Sequence, residues 1–221
     1  MARLSASRRP DATKGRHYIL SNPERKDDSV NKAIPTQYRG TNFRSRLEAR
    51  WASFFDQCGF QWEYEPFDLD GWIPDFHISG KTGSLLVEVK PIDKFDQATA
   101  DKIERATKGE HEVILVGFKI DLDPGFFVQI GWFAEQPYGM FENDNETHSY
   151  WWQGAMLGSA DGSIDILDIG PDEGSFYGRL NGEYDGNPMY LGDLERHAIL
   201  ARWAKAGNKT QWNPVSPKVY A

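Results

Sequence analysis

Leu85-Leu86-Val87-Glu88-Val89-Lys90 is an apolar run that carries a carboxylate and an ammonium two residues apart. Read as a strand, its side chains alternate. Leu85, Val87 and Val89 point one way, and Leu86, Glu88 and Lys90 the other. Charges on such a strand are costly to bury unless they pair with each other or with an ion. Upstream, Trp72 to Ile78 reads as a second strand, in which Pro74-Asp75-Phe76 sets a further charge among apolar residues. The connection Gly80-Lys81-Thr82-Gly83 is short and flanked by glycine, which predicts an antiparallel hairpin. That hairpin brings Asp75 beside Glu88, where two carboxylates repel unless a cation neutralises them. A divalent metal is the natural partner, because Mg²⁺ takes one or two carboxylates plus water and phosphate oxygens. Lys90 is then placed to orient or deprotonate an attacking water, or to neutralise charge on a phosphate.

Working outward, residues 42–58 predict a helix capped by Thr41 or Asn42, with Leu47, Trp51, Phe54 and Cys58 on one face and Gly59 as its stop. Glu48 sits at the edge of that apolar stripe, where it can add a ligand directly or through water. Arg39, Arg44, Arg46 and Arg50, on or just before this helix, are candidates for phosphate contacts. Residues 60–65 alternate as a half-buried strand until Pro66. Downstream, Gln97 to Lys108 predicts a helix ended by Gly109, and Val113 to Phe118 a strand buried on both faces. Phe126 to Phe133 and Ser163 to Ile169 read as strands, and Leu194 to Ala206 as a helix closed by Gly207. The order helix, three strands, helix, strand is that of an α/β core with a mixed sheet flanked by helices. The resulting organisation is a basic arm at 1–36, a core at 37–133, and an irregular, β-rich, aromatic and acidic extension at 134–221 that ends in a helix.

Composition sets limits. The chain of 221 residues carries a net charge of −8. Residues 1–60 hold 12 lysines and arginines against 6 acids, whereas the remainder holds 13 against 27. This asymmetry fits a basic N-terminal part that meets a polyanion and an acidic remainder that favours metal. Cys58 is the only cysteine, which excludes an internal disulfide and a cysteine-rich zinc knuckle. No apolar run approaches the ~18–20 residues that span a bilayer, and no secretory signal is evident, so the expectation is a cytoplasmic protein without a membrane partner. The Asn-x-Thr triplets at Asn145 and Asn208 accordingly say nothing of glycosylation.

Tyr38-Arg39-Gly40 through Glu48, then Ile73-Pro74-Asp75-Phe76, then Val87-Glu88-Val89-Lys90 resemble the PD-(D/E)xK nuclease superfamily, and most closely its small bacteriophage-encoded members. The resemblance covers residues 38–118 in order as well as in letters. It implies a restriction-endonuclease-like core in which Asp75, Glu88 and the backbone carbonyl of Val89 hold Mg²⁺, with Mn²⁺ as substitute. It further implies that Lys90 is catalytic and Glu48 an accessory acid. The paired cysteines that such phage proteins often carry downstream are missing here, so a zinc-bound extension is replaced or lost.

Two functions of different class follow. The first is a Mg²⁺-dependent deoxyribonuclease of phage origin, an endonuclease or, by the same chemistry, an exonuclease, working in the host cytoplasm as a monomer or homodimer on DNA. The second is a nuclease-fold protein that binds without cutting, as a virion component or an inhibitor of a host protein, for which the acidic second half is an apt surface. Action on RNA would use the same site. Elsewhere the blander readings prevail. His77, which shares a face with Asp75 on a regular strand, reads as structural or surface, and Trp132, Trp151 and Trp152 as core. Lys94 and Lys102 read as a solvated face, and Asp161 to Asp172 as turns without the EF-hand spacing.

Overall fold

The structure is a computed structural model that describes residues 33–122, 127–135, 150–160, 163–169, 176–182 and 196–211. The arm up to residue 32, Asn145, residues 161–162 and 170–172 of the acidic stretch, and the tail from Trp212 lie outside the described residues, whereas 163–169 of that stretch form a strand and not turns. Strand β1 (Thr36–Tyr38) pairs antiparallel with β2 (Thr41–Phe43). Their two-residue turn has positive φ at both Arg39 (49°) and Gly40 (85°), the requirement of a hairpin turn whose twist matches its strands. This hairpin occupies the residues expected to hold the end of the arm and the start of the first helix. The helix, α1 (Arg46–Cys58), begins four residues later than expected, because Ser45 caps it by accepting the N–H of Glu48. Gly59 ends it in the left-handed conformation (φ 82°), as the sequence indicated.

Strands β3 (Gln61–Tyr64), β4 (Phe76–Ser79) and β5 (Ser84–Val89) pair antiparallel. Helix α2 (Gln97–Thr107) crosses to β6 (Val113–Val116), which is parallel to β5 and buried throughout. Strands β7 (Val128–Glu135), β8 (Trp151–Ala160), β9 (Ser163–Ile169) and β10 (Phe176–Gly178) continue antiparallel. The result is one mixed, strongly curled sheet ordered β10-β9-β8-β7-β6-β5-β4-β3, with α3 (Arg196–Lys209) as third helix among the described residues. The boundary expected at 133 falls inside β7, and β8 to β10 extend the same sheet. Strand β4 is shorter than the expected run from Trp72, which instead forms an isolated bridge with Leu69.

The strand alternation sorts the core. Phe76, Ile78, Leu85, Val87, Val89, Ile114 and Val116 face α1 and α3, whereas Leu86 and Val113 meet Trp72, Ile103 of α2 and Tyr150 on the other side. Helix α3 runs on past the expected stop, with Gly207 inside it. A Cβ at Gly207 would stand 3.2 Å from the guanidinium carbon of Arg50, so the missing side chain leaves room for that arginine. Arg50 lies over the ring of Trp203, 3.7 Å from its centre, and donates to its carbonyl through Nε (3.3 Å) and Nη2 (3.1 Å). Arg50 is therefore a clamp between α1 and α3 and not a free phosphate contact. Arg50→Ala is expected to cost about 1–3 kcal/mol, lowering the thermal midpoint by several degrees in a melt followed by circular dichroism.

The curl brings the segment after β10 onto the β4–β5 hairpin. Thr82 and Gly83 donate their N–H groups to the carbonyl of Leu180 (2.9 and 3.3 Å), and the Thr82 hydroxyl donates to the carbonyl of Gly182 (2.6 Å). This return is anchored by Asp165, a fully buried carboxylate on β9.

Candidate active site

The site is built where α1 begins, β4 begins and β5 ends. Ser45-Arg46-Leu47-Glu48 is a capping box, with Ser45 Oγ accepting from the Glu48 N–H (3.1 Å) and donating to Glu48 Oε1 (2.7 Å). Glu48 Oε2 accepts from the Arg44 N–H (3.1 Å) and from the hydroxyl of Tyr64 on β3 (2.6 Å). Burial, and then the hydrogen bond to Glu48, push the Tyr64 hydroxyl up to about 12, so it stays protonated and donates. The buried carboxylate of Glu48 is thus tied to the helix start and to β3.

Asp75 sits immediately before β4, and the register Phe76↔Val87 carries it toward Glu88 as the hairpin predicted. Both carboxylates are buried, at 3% and 4% exposure. Asp75 Oδ2 accepts the N–H of Val89 (2.8 Å), and Oδ1 accepts from Arg44 Nη2 (2.7 Å). Arg44 also pairs through Nε with Glu65 (2.9 Å), so it bridges two acids at the rim while remaining largely exposed. Glu88 is gripped at both oxygens. Trp72, itself buried, donates its indole N–H to Oε2 (2.9 Å), and the Lys90 ammonium pairs with Oε1. Lys90 remains 39% exposed, so its charge is shared between Glu88 and the solvent side. The N–H of Lys90 is taken by Val116 of β6. By strand alternation, the Val89 carbonyl turns the same way as the Val89 N–H, toward Asp75.

Burial and then the Glu88 charge drive the Asp75 carboxyl up to about 7, against the pull of the Val89 N–H and Lys90. Between the ordinary carboxylate range and about pH 7, the folded chain therefore keeps a proton that the unfolded chain has released. Metal-free stability should fall as pH rises through that window and level off above it. Thermal midpoints taken from about pH 5 to about pH 8 in EDTA should show this decline, and Asp75→Asn should flatten it.

Asp75 and Glu88 thus set hard oxygen donors beside one arginine and one lysine. Among the described residues no three His, Cys, Asp or Glu side chains form a cluster that could hold a metal by themselves. Two carboxylates and a carbonyl remain, and Mg²⁺ or Mn²⁺ requires no more when water and substrate oxygens complete the shell. Asp75, Glu88 and the Val89 carbonyl are the groups that would hold such an ion.

The other expected residues are dispersed. Arg39 pairs with Asp56 (2.7 Å) on the first hairpin, and Arg46 buries an Nε that has no hydrogen-bond partner. His77 lies 3.9 Å from Glu63 and beside Phe67, in keeping with a structural role. Trp132 and Trp152 pack against Phe95, whereas Trp151 is 73% exposed and not core. The parts that residue patterns left unread are Ser45, Tyr64 and Trp72. Of these, only the S-x-x-E capping box carried a signal. No helix among the described residues is long and apolar enough to cross a membrane. Comparison of the chain with family models, curated proteins and solved structures gives no match.

Proposed function

We propose that the chain is a divalent-metal-dependent phosphodiesterase of the PD-(D/E)xK type, with a restriction-endonuclease-like core and DNA as substrate. The observation that carries this reading is the adjacency of Asp75 and Glu88 at the head of one hairpin, with Lys90 on the solvent side of Glu88. When bound, Mg²⁺ would lower the pKa of an attacking water and neutralise charge on the phosphate. The chain's own residues supply the rest. Asp75 and Glu88 present buried carboxylates already held by hydrogen bonds, so little reorganisation accompanies binding. Trp72 and Lys90 fix the Glu88 carboxylate from two sides, the orienting task that outer residues perform in metal sites. Lys90 can hold a water or a phosphate oxygen with the protons that Glu88 does not engage. Arg44, largely exposed at the rim beside Asp75, can pair with a backbone phosphate.

A second reading has its own observation. Arg44 already neutralises Asp75, and the chain carries 33 acids against 25 lysines and arginines, a surface suited to gripping a basic protein. The test is incubation with supercoiled, linear and single-stranded DNA in Mg²⁺, Mn²⁺ or EDTA. Metal-dependent cutting supports the enzyme, and nicking against end-shortening sorts its mode. No cutting of any substrate in either metal would sink the enzymatic reading in favour of a binding protein.

A further inference from the structure

At the far end of β4 from Asp75, about 13 Å along the strand at ~3.3 Å per residue, an open polar cleft lies between the end of α1, the β4–β5 hairpin, the start of β9 and α3. Its volume is about 550 Å³, within the range of small-molecule sites. Two cations line it. The ammonium of Lys81, at the exposed hairpin tip, reaches the Ser163 hydroxyl at 3.4 Å and has no carboxylate partner among the described residues. Arg202 of α3 likewise has none, and its buried Nη1 lacks any hydrogen-bond partner. The one acid of the lining, Asp56, is already consumed by Arg39, Trp62 and Tyr38, at 2.7, 3.1 and 2.7 Å. The cleft is therefore cationic in a protein of net charge −8.

Its remaining lining is largely polar and holds no aromatic side chain. Ser79, Ser163 and Gln61 offer hydroxyl and amide groups. Asn181 is fixed by its own bonds to Lys81 N–H (3.0 Å) and the Ile164 carbonyl (2.8 Å), so the wall there is rigid. The Cys58 thiol, pushed up to about 12 by burial, is neutral and adds no negative charge. Unpaired cations with surrounding hydroxyls and amides match a phosphorylated sugar: the cations take the phosphomonoester, and the neutral groups take ring hydroxyls.

We propose that this cleft binds a sugar phosphate bearing a terminal phosphomonoester. Such a group is presented both by a free nucleoside monophosphate and by the 5′-phosphorylated end of a nucleic acid strand. The proposal does not depend on the carboxylate site. Calorimetric titration of the full chain in EDTA would use a deoxynucleoside 5′-monophosphate, a short 5′-phosphorylated oligonucleotide and the same oligonucleotide without its phosphate. The expected result is binding that requires the phosphate and is weakened about tenfold or more by Lys81→Ala, a change at an exposed position that keeps the backbone contact to Asn181. Arg202→Gln should weaken it as well. Preference for the monophosphate or for the strand end would identify the source. Absence of phosphate-dependent binding at millimolar concentration, or binding unchanged by Lys81→Ala, would overturn the proposal.

Discussion

Asp165→Asn is expected to cost the fold about 3–5 kcal/mol, the largest single effect on stability that the structure implies. The carboxylate is inaccessible to solvent and receives four backbone N–H groups. Oδ1 accepts from Ile166 (2.7 Å) and Leu180 (2.8 Å), and Oδ2 from Asn181 (2.8 Å) and Gly182 (2.7 Å). An asparagine keeps one oxygen and turns an NH₂ toward the other two donors. Two buried N–H groups then lose their acceptor and meet like polarity, at about 1–3 kcal/mol each. The damage spreads, because the segment held by Asp165 is the one that receives Thr82 and Gly83 of the β4–β5 hairpin. Guanidinium unfolding of the variant should show the loss directly. A cost under about 1 kcal/mol would mean that the return after β10 is not what secures the hairpin.

The largest effect on activity is expected from the hairpin itself. Lys90→Ala should reduce metal-dependent cleavage by about 10²–10³-fold or more, the range for removing one preorganised group that stabilises developing charge. Asp75→Ala and Glu88→Ala should abolish it. Lys90 is partly exposed, so its loss should leave the fold standing, whereas the two acids are buried among apolar residues. A plasmid-nicking time course beside a thermal melt separates the two effects. Cleavage retained by Lys90→Ala would contradict the role assigned to the ammonium, whatever the metal does.

Much of this was legible because it depends on periods of two and on glycine. The alternation Leu85 to Lys90, the Gly-flanked hairpin and the buried run Val113 to Val116 all follow from local pattern, and they place Asp75 beside Glu88. The start of α1 was misplaced because Thr41 and Asn42 are equally good caps by composition. The structure uses Ser45, whose partner Glu48 stands three residues on, and gives Thr41 and Asn42 to a hairpin. Gly207 reads as a stop, but the helix runs through it to Lys209, and the missing Cβ leaves room for Arg50. Trp72, Tyr64 and Asp165 left no local signal at all. Each acts through a partner distant in sequence, Trp72 on Glu88, Tyr64 on Glu48, and Asp165 on the segment at 180–182.

The proposed divalent cation site rests on Asp75 and Glu88 together. Mn²⁺ binding followed by electron paramagnetic resonance, at about pH 8 where Asp75 is ionised, tests it without reference to any substrate. One bound Mn²⁺ per chain in the native protein, lost or strongly weakened in both Asp75→Asn and Glu88→Gln, is the predicted result. Binding that survives both substitutions, or none in the native chain, would contradict it.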